Sequence, residues 1–107
     1  MGSEMCIRDR YTPKQADNLA SFLAAYKTAS SEFQTEFGYP VTKPDKANLT
    51  MCTNFTAYRY DCLSMTLEMP FKDNANAPDE VEGWSPDRSA ELGGAVLDAI
   101  KDVIADL

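Results

Sequence analysis

The stretch from Cys62 to Met69 alternates apolar and polar residues, and it is the feature that most limits how this chain can fold. Its odd-numbered positions are Leu or Met, whereas its even-numbered positions are Cys, Ser, Thr and Glu. This period of two predicts a β-strand with one face on a core, and Pro70 ends it. A lone strand leaves its backbone donors and acceptors unpaired on both edges. The chain is therefore predicted to be a piece of a larger α/β domain.

A first amphipathic helix is predicted from Pro13 to Glu36. Thr12 is a suitable N-cap, proline occupies the first helical position, and Gln15 can complete a capping box. Apolar residues then recur at helical spacing. The segment from Ala47 to Tyr60 is ambiguous, because its threonines favour a strand while its apolar residues keep an i, i+3 rhythm. We expect a short helix there.

The C-terminal segment predicts a second amphipathic helix, from Pro86 to Asp106. Ser85 caps it, and Pro86 occupies the first helical position. Gly93 and Gly94 lie inside it, and each costs about 1 kcal/mol relative to alanine. We therefore expect them to permit close approach of a neighbouring backbone. Residues 71–84, which precede this helix, are predicted to form a polar loop.

The first ten residues, MGSEMCIRDR, show neither periodicity nor a processing signal. They look like translated adapter sequence of the kind found at the ends of gene models from environmental DNA. We therefore predict that residues 1–10 are not native protein, and we exclude them from the fold prediction.

The charge and the cysteines of the chain restrict its partners and its compartment. It carries 17 acidic against 10 basic residues, a net charge of −7, with no basic run that could bind phosphate groups. Nucleic acid and anionic membrane are therefore not expected as partners, and no segment approaches the roughly 18 apolar residues of a membrane span. Cys6, Cys52 and Cys62 leave an odd thiol under any pairing. This favours free thiols and a cytoplasmic location.

Glu68 is the strongest candidate for chemistry. It stands at the carboxyl end of the predicted strand, where ligands bind in open α/β sheets, and it shares its face with small residues. It could act there as a general base, or it could be a solvated glutamate on an edge strand. The acidic loop from Asp73 to Glu82 does not fit the EF-hand pattern, since Ala75 occupies a ligand position. Without histidine, the chain can form neither a Ser-His-Asp triad nor a usual catalytic zinc site.

The run LSMTLEMPFKDN, Leu63 to Asn74, resembles the end of bacterial cytosolic-type zinc metallocarboxypeptidases, which are relatives of carboxypeptidase A. The segments FQTEFGY at 33–39, ANLT at 47–50 and GWSP at 83–86 carry the same resemblance. It implies an α/β fold, in which residues 11–107 are the C-terminal portion of a mixed-sheet zinc carboxypeptidase domain. One late strand and two or three flanking helices of that domain would lie in this chain.

The resemblance also implies a role for Glu68. In that family the glutamate at the end of this strand is the general base that activates a zinc-bound water and then returns the proton to the leaving amine. Zinc lowers the pKa of such a water towards about 7, so that a nearby carboxylate can accept its proton. The substrate would be the C-terminal end of a peptide or protein. Met65 and Met69 are expected to fill the core against the helices.

The family's zinc ligands, a His-x-x-Glu motif and a later histidine, do not occur in this chain and are expected upstream. The fragment alone is therefore expected to be inactive. The arginine that holds the substrate carboxylate is also expected upstream, and none of Arg8, Arg10, Arg59 and Arg88 is assigned to that role. No motif selects a substrate-contacting tyrosine among Tyr39, Tyr58 and Tyr60. The alternative from another class is a small acidic interaction domain without catalysis.

Overall fold

Three helices and a two-stranded sheet form the part of the chain that the computed structural model describes, which is residues 12–38, residues 48–107 and the backbone of residues 4–6. In chain order the elements are β1 (Glu4–Cys6), α1 (Pro13–Ala29), α2 (Cys52–Tyr60), β2 (Thr66–Glu68) and α3 (Pro86–Val103). None of the helices in these described segments is long and apolar enough to cross a membrane. The mixture of helices and strands agrees with the predicted α/β class.

The core lies between α1 and α3. Tyr26 is its centre: the ring stacks on Phe33 with centroids 4.3 Å apart, and the hydroxyl donates a 2.7 Å hydrogen bond to the Leu92 carbonyl. Burial raises the pKa of Tyr26 to about 12, so the hydroxyl stays a donor at physiological pH. The buried apolar residues of this core are Phe22, Tyr26, Phe33, Leu92, Ala95, Ala99 and Val103.

The start of α1 confirms the predicted capping box, but its end differs from the prediction. The Gln15 N–H donates to the Thr12 hydroxyl, and the Thr12 N–H donates to the Gln15 side chain. The helix ends at Ala29 and does not reach Glu36, because Ser30 adopts an extended backbone with φ −143° and ψ 124°. The Ser30 hydroxyl then accepts the N–H of Glu32, a local bond that competes with continued helix.

The strand prediction is right in position but too long, and its partner was missed. Only Thr66–Glu68 pairs, antiparallel to Glu4–Cys6, with Met5 opposite Leu67. The lone-strand expectation is therefore wrong for one edge, since β1 lies within the ten residues that the sequence analysis set aside. The native or artificial origin of residues 1–10 remains a prediction, as does a larger mixed sheet.

The predicted apolar face of the strand region is confirmed except at its end. Leu63, Met65 and Leu67 are partly buried against the core. Met69 is 46% exposed, so the expectation that it fills the core is wrong within the described structure. The buried Pro70 follows, and proline has no N–H with which to continue a strand ladder.

The expected short helix is confirmed as α2. Its last residues are joined to α1 through the buried Gln15, whose amide nitrogen donates to the Ala57 carbonyl and to the Asp61 carboxylate. Asp61 adopts a left-handed backbone with φ 47°, which ends the helix. The C-terminal helix α3 begins at Pro86 after the Ser85 cap, as predicted, and ends at Val103, three residues before Asp106.

The interpretation of Gly93 and Gly94 is wrong. A Cβ added at either position would meet no atom within 4 Å beyond the helix's own backbone. Neither glycine therefore permits a close approach among the described residues, and each lowers the intrinsic stability of α3 relative to alanine.

We predict that Gly94→Ala stabilises the protein. Gly94 is exposed and lies in the interior of α3, so alanine should raise the free energy of unfolding by about 1 kcal/mol. Urea denaturation of both forms measures the change. A loss of stability would show that the glycine has a packing role.

Gly83→Ala provides the contrast. Gly83 has φ +63°, and a Cβ there would lie 2.6 Å from the Lys72 carbonyl oxygen. We predict a loss of about 1–3 kcal/mol in the same denaturation experiment, since both the backbone conformation and the contact are unfavourable for alanine. Equal stability of Gly83→Ala and the parent protein would contradict the described loop.

Candidate active site

Glu68 is the last residue of β2, and its side chain is half-buried. Since successive side chains of a strand point to opposite faces, Glu68 and Leu67 lie on different sides of the sheet. Leu67 faces the helices and packs against the core. The Glu68 carboxylate is therefore placed on the sheet face away from these helices, at the point where the strand ends.

A cavity of about 490 Å³ lies on the Leu67 side of the strand. The described residues that border it are almost entirely apolar and include no acidic, basic or imidazole side chain, so they offer no acid–base chemistry. Glu68 does not border it. The residues that do are Phe22, Leu63, Ser64, Met65, Leu67, Val96, Ile100, Ile104 and Leu107.

The loop that follows Glu68 is fixed by Asp73 and Asn74. One Asp73 carboxylate oxygen accepts the N–H of Asn74, and the other accepts the N–H of Asp79. Asn74 is completely buried, and its amide nitrogen donates both to the Glu32 carbonyl and to the Glu32 carboxylate. These contacts attach the loop to the segment that follows α1.

Arg88, in the first turn of α3, completes this attachment. Its Nε and Nη2 donate to the two Glu32 carboxylate oxygens at 2.8 and 2.9 Å. Its Nη1 donates to Asp73 at 2.9 Å and to the Gly83 carbonyl at 2.7 Å. The remaining N–H of Nη2 donates to the Ala77 carbonyl. The guanidinium also lies over the Trp84 ring, 4.8 Å from its centroid.

The charges of this cluster stabilise one another. Hydrogen bonds from Arg88 hold the pKa of Glu32 below its ordinary value, although burial opposes this shift. Burial also disfavours the charged form of Asp73, but the hydrogen bonds from Arg88 and from backbone N–H groups outweigh it and lower the pKa of Asp73. Hydrogen bonds to Glu32 raise the pKa of Arg88. All three groups are therefore ionised at neutral pH.

The acidic loop is a structural element in which the carboxylates bind backbone. Asp79 accepts the N–H groups of Val81 and Glu82, which lower the pKa of Asp79. Glu80 and Glu82 are exposed. In residues 12–38 and 48–107, no three His, Cys, Asp or Glu side chains are grouped so that they could hold a metal ion.

Two of the three tyrosine candidates lie in or at the end of α2 and are exposed. Tyr58 and Tyr60 are 51% and 68% exposed, and the Arg59 guanidinium lies 5.4 Å from the Tyr60 ring centroid. All five guanidinium N–H donors of Arg88 bind acceptors in the loop and in Glu32, so none is left to bind a substrate carboxylate. Tyr39, Arg8 and Arg10 lie outside the described residues.

Sequence reasoning missed the cluster of Arg88 with Glu32 and Asp73. Arg88 lies 56 residues after Glu32 and 15 residues after Asp73, so no local periodicity connects them. The available signal was the Asp-Asn pair five and six residues after Glu68, since such residues often bind backbone in turns.

We predict that the cluster makes stability depend on pH below about 4.5. The ordinary pKa values of Glu and Asp are 4.5 and 3.8, and those of Glu32 and Asp73 are lower in the folded protein. The unfolded chain then binds more protons, so this stabilisation is complete above about pH 4.5 and is lost as the pH falls through the folded pKa values. Urea denaturation from pH 7 to pH 3 measures it.

The matched variants are Glu32→Gln and Glu36→Gln. Glu32→Gln removes one of the two carboxylates, so its stability should fall less steeply below pH 4.5 than that of the parent protein. Glu36 is exposed, and its replacement should leave the slope unchanged. The same slope for the parent and Glu32→Gln would contradict the ion pair.

Comparison with known proteins identifies the type of fold. No protein-family profile matches the chain. An uncharacterized protein of Zymomonas mobilis subsp. mobilis is 49% identical over 76 residues, which are 71% of this chain and 20% of that protein. The chain thus spans about a fifth of the length of this relative.

Solved structures match almost the whole chain. A protein of Shewanella denitrificans OS-217 that is named for carboxypeptidase A is 47% identical, with a TM-score of 0.92 over 97% of this chain and 28% of its own. A metallo-carboxypeptidase of Pseudomonas aeruginosa, in complex with (2-guanidinoethylmercapto)succinic acid, is 34% identical, with a TM-score of 0.91 over the same shares. A metallo-carboxypeptidase of Burkholderia cenocepacia is 39% identical, with a TM-score of 0.88 over 99% of this chain and 29% of its own. The resemblance to metallo-carboxypeptidases is confirmed in both fold and sequence, and the shares covered are consistent with a C-terminal fragment of such a protein.

Proposed function

We propose that this chain is the C-terminal part of a zinc metallocarboxypeptidase and that Glu68 is its general base. The observation that carries the proposal is the match to the Shewanella denitrificans structure, with a TM-score of 0.92 and 47% identity over 97% of the chain. At that identity the agreement extends beyond the fold to nearly half of the aligned sequence. The proposed reaction is hydrolysis of the last peptide bond of a peptide or protein.

The position of Glu68 supports the role of a base. It ends β2, next to Leu67, which is packed against the core. A side chain on a packed strand is held more firmly than one on a loop, and a general base must be held within hydrogen-bond reach of the proton that it accepts. Glu68 would accept a proton from the attacking water and return it to the leaving amine.

The residues of this chain do not fit a catalytic metal centre. The described residues contain no group of three potential ligands, and the full sequence has no histidine. A catalytic zinc is held by three protein ligands, commonly with histidine among them. We therefore propose that the ligands belong to a part of the protein beyond these 107 residues, and that this chain supplies the base.

The proposed substrate is the carboxyl-terminal end of a peptide or protein. The Pseudomonas aeruginosa metallo-carboxypeptidase binds a derivative of succinic acid in its structure, which supports recognition of a terminal carboxylate. We propose a cytoplasmic protein, as its cysteines suggest; Cys52 and Cys62 are free thiols in the described part of the chain. A non-catalytic acidic interaction domain is not favoured by the structural matches.

We predict that Glu68→Gln, made in the full-length protein, abolishes most of the turnover. Glutamine keeps the size and polarity of the side chain but cannot accept the proton, so kcat should fall by about 10²–10⁴-fold while KM changes little. Steady-state hydrolysis of a peptide substrate with a free C-terminus measures both constants.

Glu80→Gln is the matched control. Glu80 is an exposed glutamate of the following loop, and its replacement removes the same charge without touching the proposed base. It should leave kcat and KM unchanged. Full turnover of Glu68→Gln would contradict the assignment of Glu68.

A further inference from the structure

We propose that Arg88 is a positioning residue for Glu68, because it holds the loop that follows β2 in one conformation. This inference rests on the proposed function. It concerns an arginine to which the sequence analysis assigned no role.

All of the side-chain hydrogen-bond donors of Arg88 bind the loop or Glu32. A guanidinium has five N–H donors, and each of the five in Arg88 has an acceptor. The acceptors belong to two segments: Glu32 follows α1, whereas Asp73, Ala77 and Gly83 span the loop. A single planar group thereby fixes the loop at its beginning, its middle and its end.

Most of the cluster is sheltered from water, although the Asp73 side chain is 32% exposed. The Arg88 and Glu32 side chains are only 14% and 16% exposed, and Asn74, which joins the loop to Glu32, is completely buried. Breaking such a bond is costly, because the buried polar group would lose its partner and water could not readily take the partner's place. The loop therefore has one strongly preferred arrangement.

The connection from this cluster to Glu68 is short. Asp73 is five residues beyond Glu68, and the intervening Pro70 is buried and has a fixed φ. Lys72 is held in place as well, since its carbonyl accepts the Trp84 N–H at 2.7 Å. On the other side of Glu68, Leu67 is packed against the core. Only residues 69–72 separate Glu68 from the cluster, and through them a shift of the loop would reach the end of β2, where the proposed base lies.

The test is Arg88→Lys in the full-length enzyme. Lysine keeps the positive charge but has three donors and no planar fork, so it cannot satisfy Glu32, Asp73 and the loop carbonyls together. A displacement of the base of about 1 Å can cost about 100-fold in rate. We expect kcat per folded molecule to fall by about 10- to 100-fold with KM nearly unchanged, and the acid limb of the pH profile of kcat/KM to shift.

Arg59→Lys is the matched control. Arg59 is exposed and contacts Tyr60, outside the cluster, so its replacement should leave kcat and the pH profile unchanged. If Arg88→Lys does not fold, Asp73→Asn takes its place, because it removes the carboxylate from the loop and keeps its size. The same loss of kcat is expected.

Two outcomes separate this inference from the function on which it rests. Wild-type kcat and pH profile in folded Arg88→Lys or Asp73→Asn, together with an inactive Glu68→Gln, would overturn the positioning role alone. An active Glu68→Gln would overturn both. A kcat that falls only in proportion to the folded fraction, with an unchanged pH profile, would show a purely structural role and would also overturn the inference.

Discussion

The guanidinium of Arg88 is the interaction on which the arrangement of the described residues depends. It joins the first turn of α3 to the long loop after β2 and to the segment after α1, which lies 56 residues earlier in the chain. The core between α1 and α3 would bring the two helices together by burial of apolar surface. Apolar packing has no directional preference, however, and it does not select one path for the polar loop of 17 residues, 69–85, between β2 and α3. The charged hydrogen bonds select that path.

The features that were predictable from sequence are those determined by neighbours along the chain. The capping box at Thr12 and the Ser85 cap depend on residues three positions apart, and both are present. The apolar side of the strand region follows the alternation of its residues. Such local rules also predicted that the first helix continues to Glu36. The helix ends earlier, at Ala29, but Phe33 is buried in the core as the apolar spacing predicted. Phe33 reaches the core from a turn, because stacking on Tyr26 requires the chain to bend back after Ser30.

The features that were not predictable depend on partners far away in the chain. The pairing of a strand depends on its neighbour, and β2 pairs with β1, which lies some 60 residues earlier in the chain. The two glycines of α3 have no close neighbour in the described structure, and no pattern along the chain could show that. The contacts of Glu32, Asp73 and Arg88 join residues that have no common period. For Glu68 the sequence located the residue at the end of a strand, whereas its proposed role comes from resemblance to a family.

We propose that the base and the metal ligands lie in different parts of one longer chain. The most direct measurement is a crystal structure of the full-length protein in which anomalous scattering locates the metal. The account predicts that the Glu68 carboxylate faces the metal site, with room for a water molecule between them. A Glu68 side chain turned into bulk solvent, with no cavity beside it, would contradict the account.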